Sequence, residues 1–257
     1  MVVALAATEF GDGKPVAILH GLFGSARNWA SIAQRLGGDD RAIAFDLRNH
    51  GASPWAETMS YAEMAEDVRA AMAARGHSRY ALIGHSLGGK AAMVLALTNP
   101  ADVERLVVVD IAPVAYPVPY LAYVRAMRAL DLDAMTRRRE ADTGLAATIV
   151  DPAERAFLLQ SLVFGDDKPH WRLNLAALET ALPFLAGFPS FPPGTSYDGP
   201  ALFIAGGRSN ALRPEREAAI KTSFPGAELV RIDNAGHWVH AEQPEAFLAL
   251  VGRFLAS

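Results

Sequence analysis

The 257-residue chain reads as an α/β protein with a mostly parallel central sheet, helices on both faces and one helical lid insertion. Three observations predict it. Short β-branched or apolar runs alternate with longer stretches of helical spacing, which is the pattern of βαβ units. The alternation stops once, from about residue 111 to 199, where helical stretches take over. Finally, an apolar run, a G-x-S-x-G pentapeptide and a helical pattern follow one another across residues 80–98.

Taken in order, the apolar residues 1–8 lack a basic leader and run into Glu9 and the turn-like Gly11-Asp12-Gly13, so they predict an edge strand and not a signal peptide. Strands are expected at 16–19, 41–46, 80–83, 106–109, 201–205 and 228–232. Helices are expected at 29–36, 61–75, 87–98, 215–222 and 244–255, several opening on Pro, Ser or Asp where orphan N–H groups need partners. In the interruption, 121–130, 153–162 and 173–182 read as helices, and the Pro/Gly-rich residues 188–200 carry the chain back to the sheet. The expected division is therefore a core of residues 1–112 and 198–257 with a lid of 113–197. Arg137-Arg138-Arg139-Glu140, balanced by nearby acids, reads as a solvated helix face.

Composition narrows the function classes. About half the residues are hydrophobic, enough for one sizeable core. A net charge of −4 offers no general attraction for nucleic acid or anionic lipid, so neither is an expected partner. With no cysteine, disulfides and thiolate chemistry are excluded, and a cytoplasmic address is the default. The weakly charged residues 106–124 contain Asp110, Pro113, Pro117 and Pro119, which disfavours a membrane span. No GK[ST] phosphate loop or G-x-G-x-x-G follows a strand, so no nucleotide or other cofactor is expected.

Gly84-His85-Ser86-Leu87-Gly88 carries the chemistry. A serine between strand and helix is held in a strained conformation, flanked by glycines because a Cβ there would strike neighbouring chain. Its hydroxyl is pushed outward at a helix N-terminus, where developing negative charge is favoured. Ser86 is the expected nucleophile, and a serine in place of a carboxylate argues against dehalogenase or epoxide hydrolase chemistry.

Four blocks then make the likeness specific: His20-Gly21-Leu22-Phe23-Gly24-Ser25, residues 46–54 (DLRNHGASP), residues 84–90 (GHSLGGK) and residues 109–114 (VDIAPV). In this order they resemble the α/β-hydrolase superfamily, in particular the YbfF-type esterases, and the lid stretch 171–175 (WRLNL) is similar too. The resemblance implies the α/β-hydrolase fold and a late histidine as general base. His237, in Asn234-Ala235-Gly236-His237-Trp238, fits best. His20, His50 and His85 read as groups that orient loops, and His77 and His170 have no supporting motif. His240 lies three residues from His237 with no third ligand, so no metal is named. The oxyanion donors implied are the backbone N–H groups of Leu87 and Leu22, with Phe23 as the alternative to Leu22.

The acid departs from the common pattern. Most superfamily members carry it after the strand at 201–205, yet here the loop reads Gly206-Gly207-Arg208-Ser209-Asn210, and an amide cannot stabilise an imidazolium as an anion does. Asp110, at the end of the strand at 106–109, is the expected acid, with Asp233 a poorer candidate because a local turn role suits it. The implied activity is hydrolysis of small to medium acyl esters or thioesters through an acyl-enzyme. Perhydrolysis, C–C bond hydrolysis and a ligand-sensing receptor on the same scaffold remain alternatives. Tyr116, Tyr120, Tyr123, Phe157, Phe164, Trp171 and Phe184 could line an apolar pocket or simply pack the lid. Oligomeric state is not legible.

Overall fold

The computed structural model describes residues 1–118, 120–165 and 168–257; Pro119 lies outside the described residues. Seven strands form one sheet in the order β1-β3-β2-β4-β5-β8-β9. They are β1 (Ala7–Phe10), β2 (Lys14–Leu19), β3 (Asp40–Phe45), β4 (Tyr80–His85), β5 (Val103–Val109), β8 (Ala201–Gly206) and β9 (Glu228–Ile232). Only β1 is antiparallel to its neighbour.

The inner strands are apolar at nearly every position because both faces are covered, as parallel sheets require. Ala17, Leu19, Ile43, Phe45, Leu82 and Val108 face one cluster. Val16, Ile18, Ala42, Ala44, Ile83 and Val107 alternate into the other. Helices α2 (Tyr61–Ala73), α3 (Leu87–Thr98) and α8 (Glu217–Ser223) contribute to the first; α1 (Ala30–Leu36), α9 (Val239–Glu242) and α10 (Pro244–Ala256) cover the second. No helix among the described residues is long and apolar enough to cross a membrane.

Between β5 and β8 run α4 (Tyr120–Ala129), α5 (Arg138–Leu145), α6 (Pro152–Leu158) and α7 (Leu175–Leu185). The segment is not purely helical. Two-residue strands β6 (Leu162–Val163) and β7 (His170–Trp171) pair antiparallel, and the helix expected to continue to residue 162 ends at Leu158 and passes through a short 3-10 turn. The α7 helix starts at Leu175, two residues later than its spacing suggests, because Asn174 caps it by accepting the Ala177 N–H.

This segment is fastened to the core at defined points. The Asn174 N–H donates to Asn49 O, and its amide to Ala56 O and Asn49 Oδ1. The Tyr61 hydroxyl donates to Leu185 O, and the buried Lys90 ammonium donates to Ala186 O (3.0 Å) and Gly187 O (2.6 Å) at the end of α7.

The N-terminal strand is shifted from its expected place. Residues 1–6 are not strand. Their backbone is taken by the core loops instead: Val3 N–H donates to Asp67, Ala6 N–H to Ser53, and Ala6 O accepts from Asp46. Pairing with β3 begins only at Ala7 and includes Glu9 and Phe10, because backbone pairing to an open sheet edge tolerates polar residues.

Candidate active site

The β4 strand delivers Ser86 and α3 starts immediately after it. Ser86 has φ 51° and ψ −115°, a conformation normally left to glycine. A Cβ on Gly84 would lie 2.3 Å from Gly88 O, and one on Gly88 would lie 2.4 Å from His20 O, so the two glycines let strand, helix and the β2 loop meet. The turn is pinned by Ser86 N–H donating to Val109 O and by Lys90 N–H donating to Ser86 O.

Asp110 leaves β5 as Ser86 leaves β4. Gly84 pairs with Val108 and His85 with Val109, so Ser86 and Asp110 follow at corresponding positions on neighbouring strands, both with φ 51°. The Asp110 side chain is fully buried. Its Oδ1 accepts the Gly206 N–H (3.0 Å), and its Oδ2 accepts both His237 Nδ1–H (2.7 Å) and the Ser209 hydroxyl. With Nδ1–H donated to this carboxylate, the second ring nitrogen of His237, Nε2, is left without a proton in the neutral ring. Asn210 is not part of this cluster; its carbonyl accepts from Arg216. Asp233 is exposed.

The loop bearing His237 is held from two sides. Glu242 accepts the N–H groups of Gly236 (2.8 Å) and Trp238 (3.3 Å), while His85 Nε2–H donates to His237 O (2.9 Å). Burial, chiefly, pushes the His85 imidazole well below its ordinary pKa, so the neutral ring serves as a fixed strut. His240 stacks on Trp29 with ring centroids 3.9 Å apart, and burial lowers it to about 3. No group of three or more potential metal ligands is assembled among the described residues. Sequence reasoning missed Ser209 and Glu242; both act through folding contacts that no local motif encodes.

The β2 loop supplies backbone donors. The Phe23 N–H donates to His50 Nε2 (3.3 Å), which itself is fixed by Nδ1–H donation to Arg48 O. That bond occupies the Phe23 N–H. Among the described residues the N–H groups of Leu22 and Leu87 have no acceptor, nor has the Ser86 hydroxyl a partner, a state in which catalytic hydrogen bonds are often still open before substrate binds.

Two cavities meet at this point, sharing Leu22, Ser86, Tyr120 and His237 in their walls. The larger, about 440 Å³, extends under α6 past Tyr123, Phe157 and Trp238. The smaller, about 320 Å³, is lined by Leu87, Lys90, Ile111, Val118, Leu182 and Leu185 among others. Tyr116, Tyr120, Tyr123 and Phe157 border these spaces, whereas Phe164, Trp171 and Phe184 do not, and Phe184 is 80% exposed. The Lys90 ammonium has no carboxylate partner among the described residues; burial lowers it to about 8.

Comparisons with known proteins bear on the fold and the family. A family model for the alpha/beta hydrolase fold matches residues 14–244. The chain is 40% identical over 251 residues to mouse sn-1-specific diacylglycerol lipase ABHD11, covering 94% of this chain and 80% of that protein. It is 36% identical over 248 residues to Esterase YbfF of Escherichia coli K12, covering 95% and 94%. Among solved structures, a marine microorganism esterase superposes with a TM-score of 0.94 at 34% identity, over 98% of this chain and 99% of that one.

Proposed function

The chain belongs to the α/β-hydrolase fold family, alongside its esterases and lipases, and from that premise we propose that it is a serine hydrolase of small to medium acyl esters or thioesters. Ser86 is the nucleophile, His237 the general base and acid, Asp110 the carboxylate partner, and the N–H groups of Leu22 and Leu87 the oxyanion donors. The observation that carries the reading is the 2.7 Å contact of His237 Nδ1 with buried Asp110, at the wall of the cavities that also open on the strained Ser86.

In the first half-reaction Ser86 Oγ bonds to the acyl carbon while His237 Nε2 takes its proton, and the negative charge gathers on the former carbonyl oxygen beside the two backbone donors. Collapse breaks the bond to the leaving oxygen or sulfur, which receives the proton from His237. In the second half, water gives a proton to His237, attacks the acyl-enzyme, and releases the acid with Ser86 restored. Buried Asp110 stabilises the imidazolium in both halves without itself being protonated. Without cysteine the chain needs no oxidising compartment for disulfides, and the cytoplasm is its proposed address.

A chain-length series of p-nitrophenyl esters and acyl thioesters tests this with wild type and Ser86→Ala. Loss of the hydroxyl is expected to lower kcat by roughly 10⁶, as for serine nucleophiles elsewhere. Turnover retained in Ser86→Ala would sink the assignment.

A further inference from the structure

The two cavities differ in the charge they present, and both open on Ser86, so that each offers room for one arm of a substrate cleaved there. Hydrocarbon belongs in the smaller one, whose walls are Leu87, Ile111, Val118, Leu182 and Leu185. Among its described lining residues Lys90 alone is a cation and no carboxylate faces it, so a positively charged arm is repelled there. The larger cavity runs along the chain that follows His237, the residue that must protonate the leaving atom, and its lining includes Asn28 and Gln160 as well as aromatic rings. The alcohol side of the ester therefore lies in the larger cavity.

That cavity carries two carboxylates, Glu154 and Glu242, and no Lys or Arg among its described lining residues. Glu242 is already occupied: it pairs with Arg208 at 2.8 Å and holds the His237 loop. Glu154 is different. It has no ion pair among the described residues and is aimed by the Tyr123 hydroxyl, which donates to its Oε2 at 2.6 Å. Around it stand aromatic faces, with Phe157 against Trp238 (centroids 5.3 Å apart) and Tyr123 against Tyr120 (5.6 Å). A carboxylate without a counter-ion among aromatic faces is the chemistry that receives an ammonium group.

Building on the ester-hydrolase reading, we infer that the larger cavity selects esters by the charge of their alcohol, favouring cationic amino-alcohol or quaternary ammonium esters over anionic ones, with Glu154 as the specificity-determining residue. Glu154 lies on the lid and bonds to none of the reacting groups, so it acts on substrate discrimination and not on the proton relay.

The test uses three butyrate esters with one acyl group and alcohols of similar size: butyrylcholine (cationic), 3,3-dimethylbutyl butyrate (neutral) and 2-sulfoethyl butyrate (anionic). Release of acid is followed by pH-stat with wild type, Glu154→Gln and Ser86→Ala. Glutamine keeps an acceptor for Tyr123 while removing the charge, and a thermal melt checks that the variant is folded. In wild type, kcat/KM is expected to rank cationic, neutral, anionic, each step about fivefold to tenfold, the size of a partly solvated cation contact. In Glu154→Gln the cationic-to-anionic ratio should fall by about tenfold or more, chiefly through KM. Neutral ester cleaved by wild type but not by Ser86→Ala, with a charge ranking that is flat or unmoved by Glu154→Gln, overturns this inference and leaves the hydrolase reading standing. No cleavage of any of the three overturns both.

Discussion

Replacing Asp110 by asparagine isolates the role of its charge with little change of shape. The carboxylate accepts from three donors: Gly206 N–H at 3.0 Å, His237 Nδ1–H at 2.7 Å and the Ser209 hydroxyl. An amide offers only one accepting atom. Turned one way, its NH₂ confronts the Gly206 N–H and leaves that buried donor unsatisfied, at about 1–3 kcal/mol. Turned the other way, the oxygen keeps Gly206 and the NH₂ faces Ser209 and His237. Ser209 adapts by rotating its hydroxyl to accept. His237 adapts only by moving its proton to Nε2, which then points a donor where the base is needed. The second arrangement is the better hydrogen bonded, so the variant should fold and fail catalytically. Asparagine also tolerates the φ of 51° at this position. The same exchange in a serine protease triad lowers kcat by ~10⁴, equal to about 5.4 kcal/mol in the barrier. We expect a loss of that order on p-nitrophenyl butyrate, a stability change under about 2 kcal/mol in urea, and a ¹⁵N spectrum of His237 showing the Nε2–H tautomer. A folded Asp110→Asn enzyme that keeps more than about a tenth of wild-type kcat would refute the argument.

Two further outcomes concern the buried histidines and two helical glycines. His20, His50 and His240 are buried with pKa values lowered by desolvation to about 4, 3 and 3. Below pH 6.5 the unfolded chain takes up protons that the native state refuses, so stability is intact above that pH and lost as it falls towards 3–4. At pH 4.5 each residue costs on the order of 2–3 kcal/mol, a sizeable part of the whole stability of an ordinary domain. Urea titrations from pH 8 to 4.5 should show this decline, and a flat profile would contradict it. For the serine turn, Gly88→Ala puts a Cβ 2.4 Å from His20 O and 2.6 Å from Leu19 O, both backbone atoms, and should lower stability by roughly 3 kcal/mol or more. Gly252→Ala in α10 meets nothing within 4 Å and should raise it by up to about 1 kcal/mol. Opposite shifts in Tm are the check.

Much of the sheet is readable because its inner strands are buried on both sides and so appear as short apolar runs between turn residues. Boundaries are less readable. The β2 and β3 strands begin earlier, at Lys14 and Asp40, because ladder hydrogen bonds belong to the backbone and extend into polar residues. The pairing of β6 with β7 involves two residues each, too short for any period to register. In the site, Ser86 and Asp110 are marked by their place at strand ends and His237 by its Gly-His-Trp loop. The struts are invisible beforehand: Ser209 reaches Asp110 across 99 positions, and His85 reaches the carbonyl of His237 across 152. Such bonds are set by which loops the sheet order gathers together, and single-residue chemistry does not announce them. The bond that occupies the Phe23 N–H likewise depends on His50, 27 positions away.

Ser86 and Asp110 stand at matching positions on adjacent strands, and β8 contributes the Gly206 N–H but no charged group to Asp110. Their separation is therefore fixed by the interval of roughly 4.8 Å between hydrogen-bonded strands. All of α4 to α7 leaves the chain after Asp110 and returns before β8. Ser86 and Asp110 thus both lie upstream of the segment that shapes both cavities, while Gly206, Ser209 and His237, which bond to Asp110, lie downstream of it. Lineages or protein engineers can exchange that segment for another, re-addressing the enzyme to new substrates, provided the replacement offers carbonyls to Lys90 and a partner to Asn49.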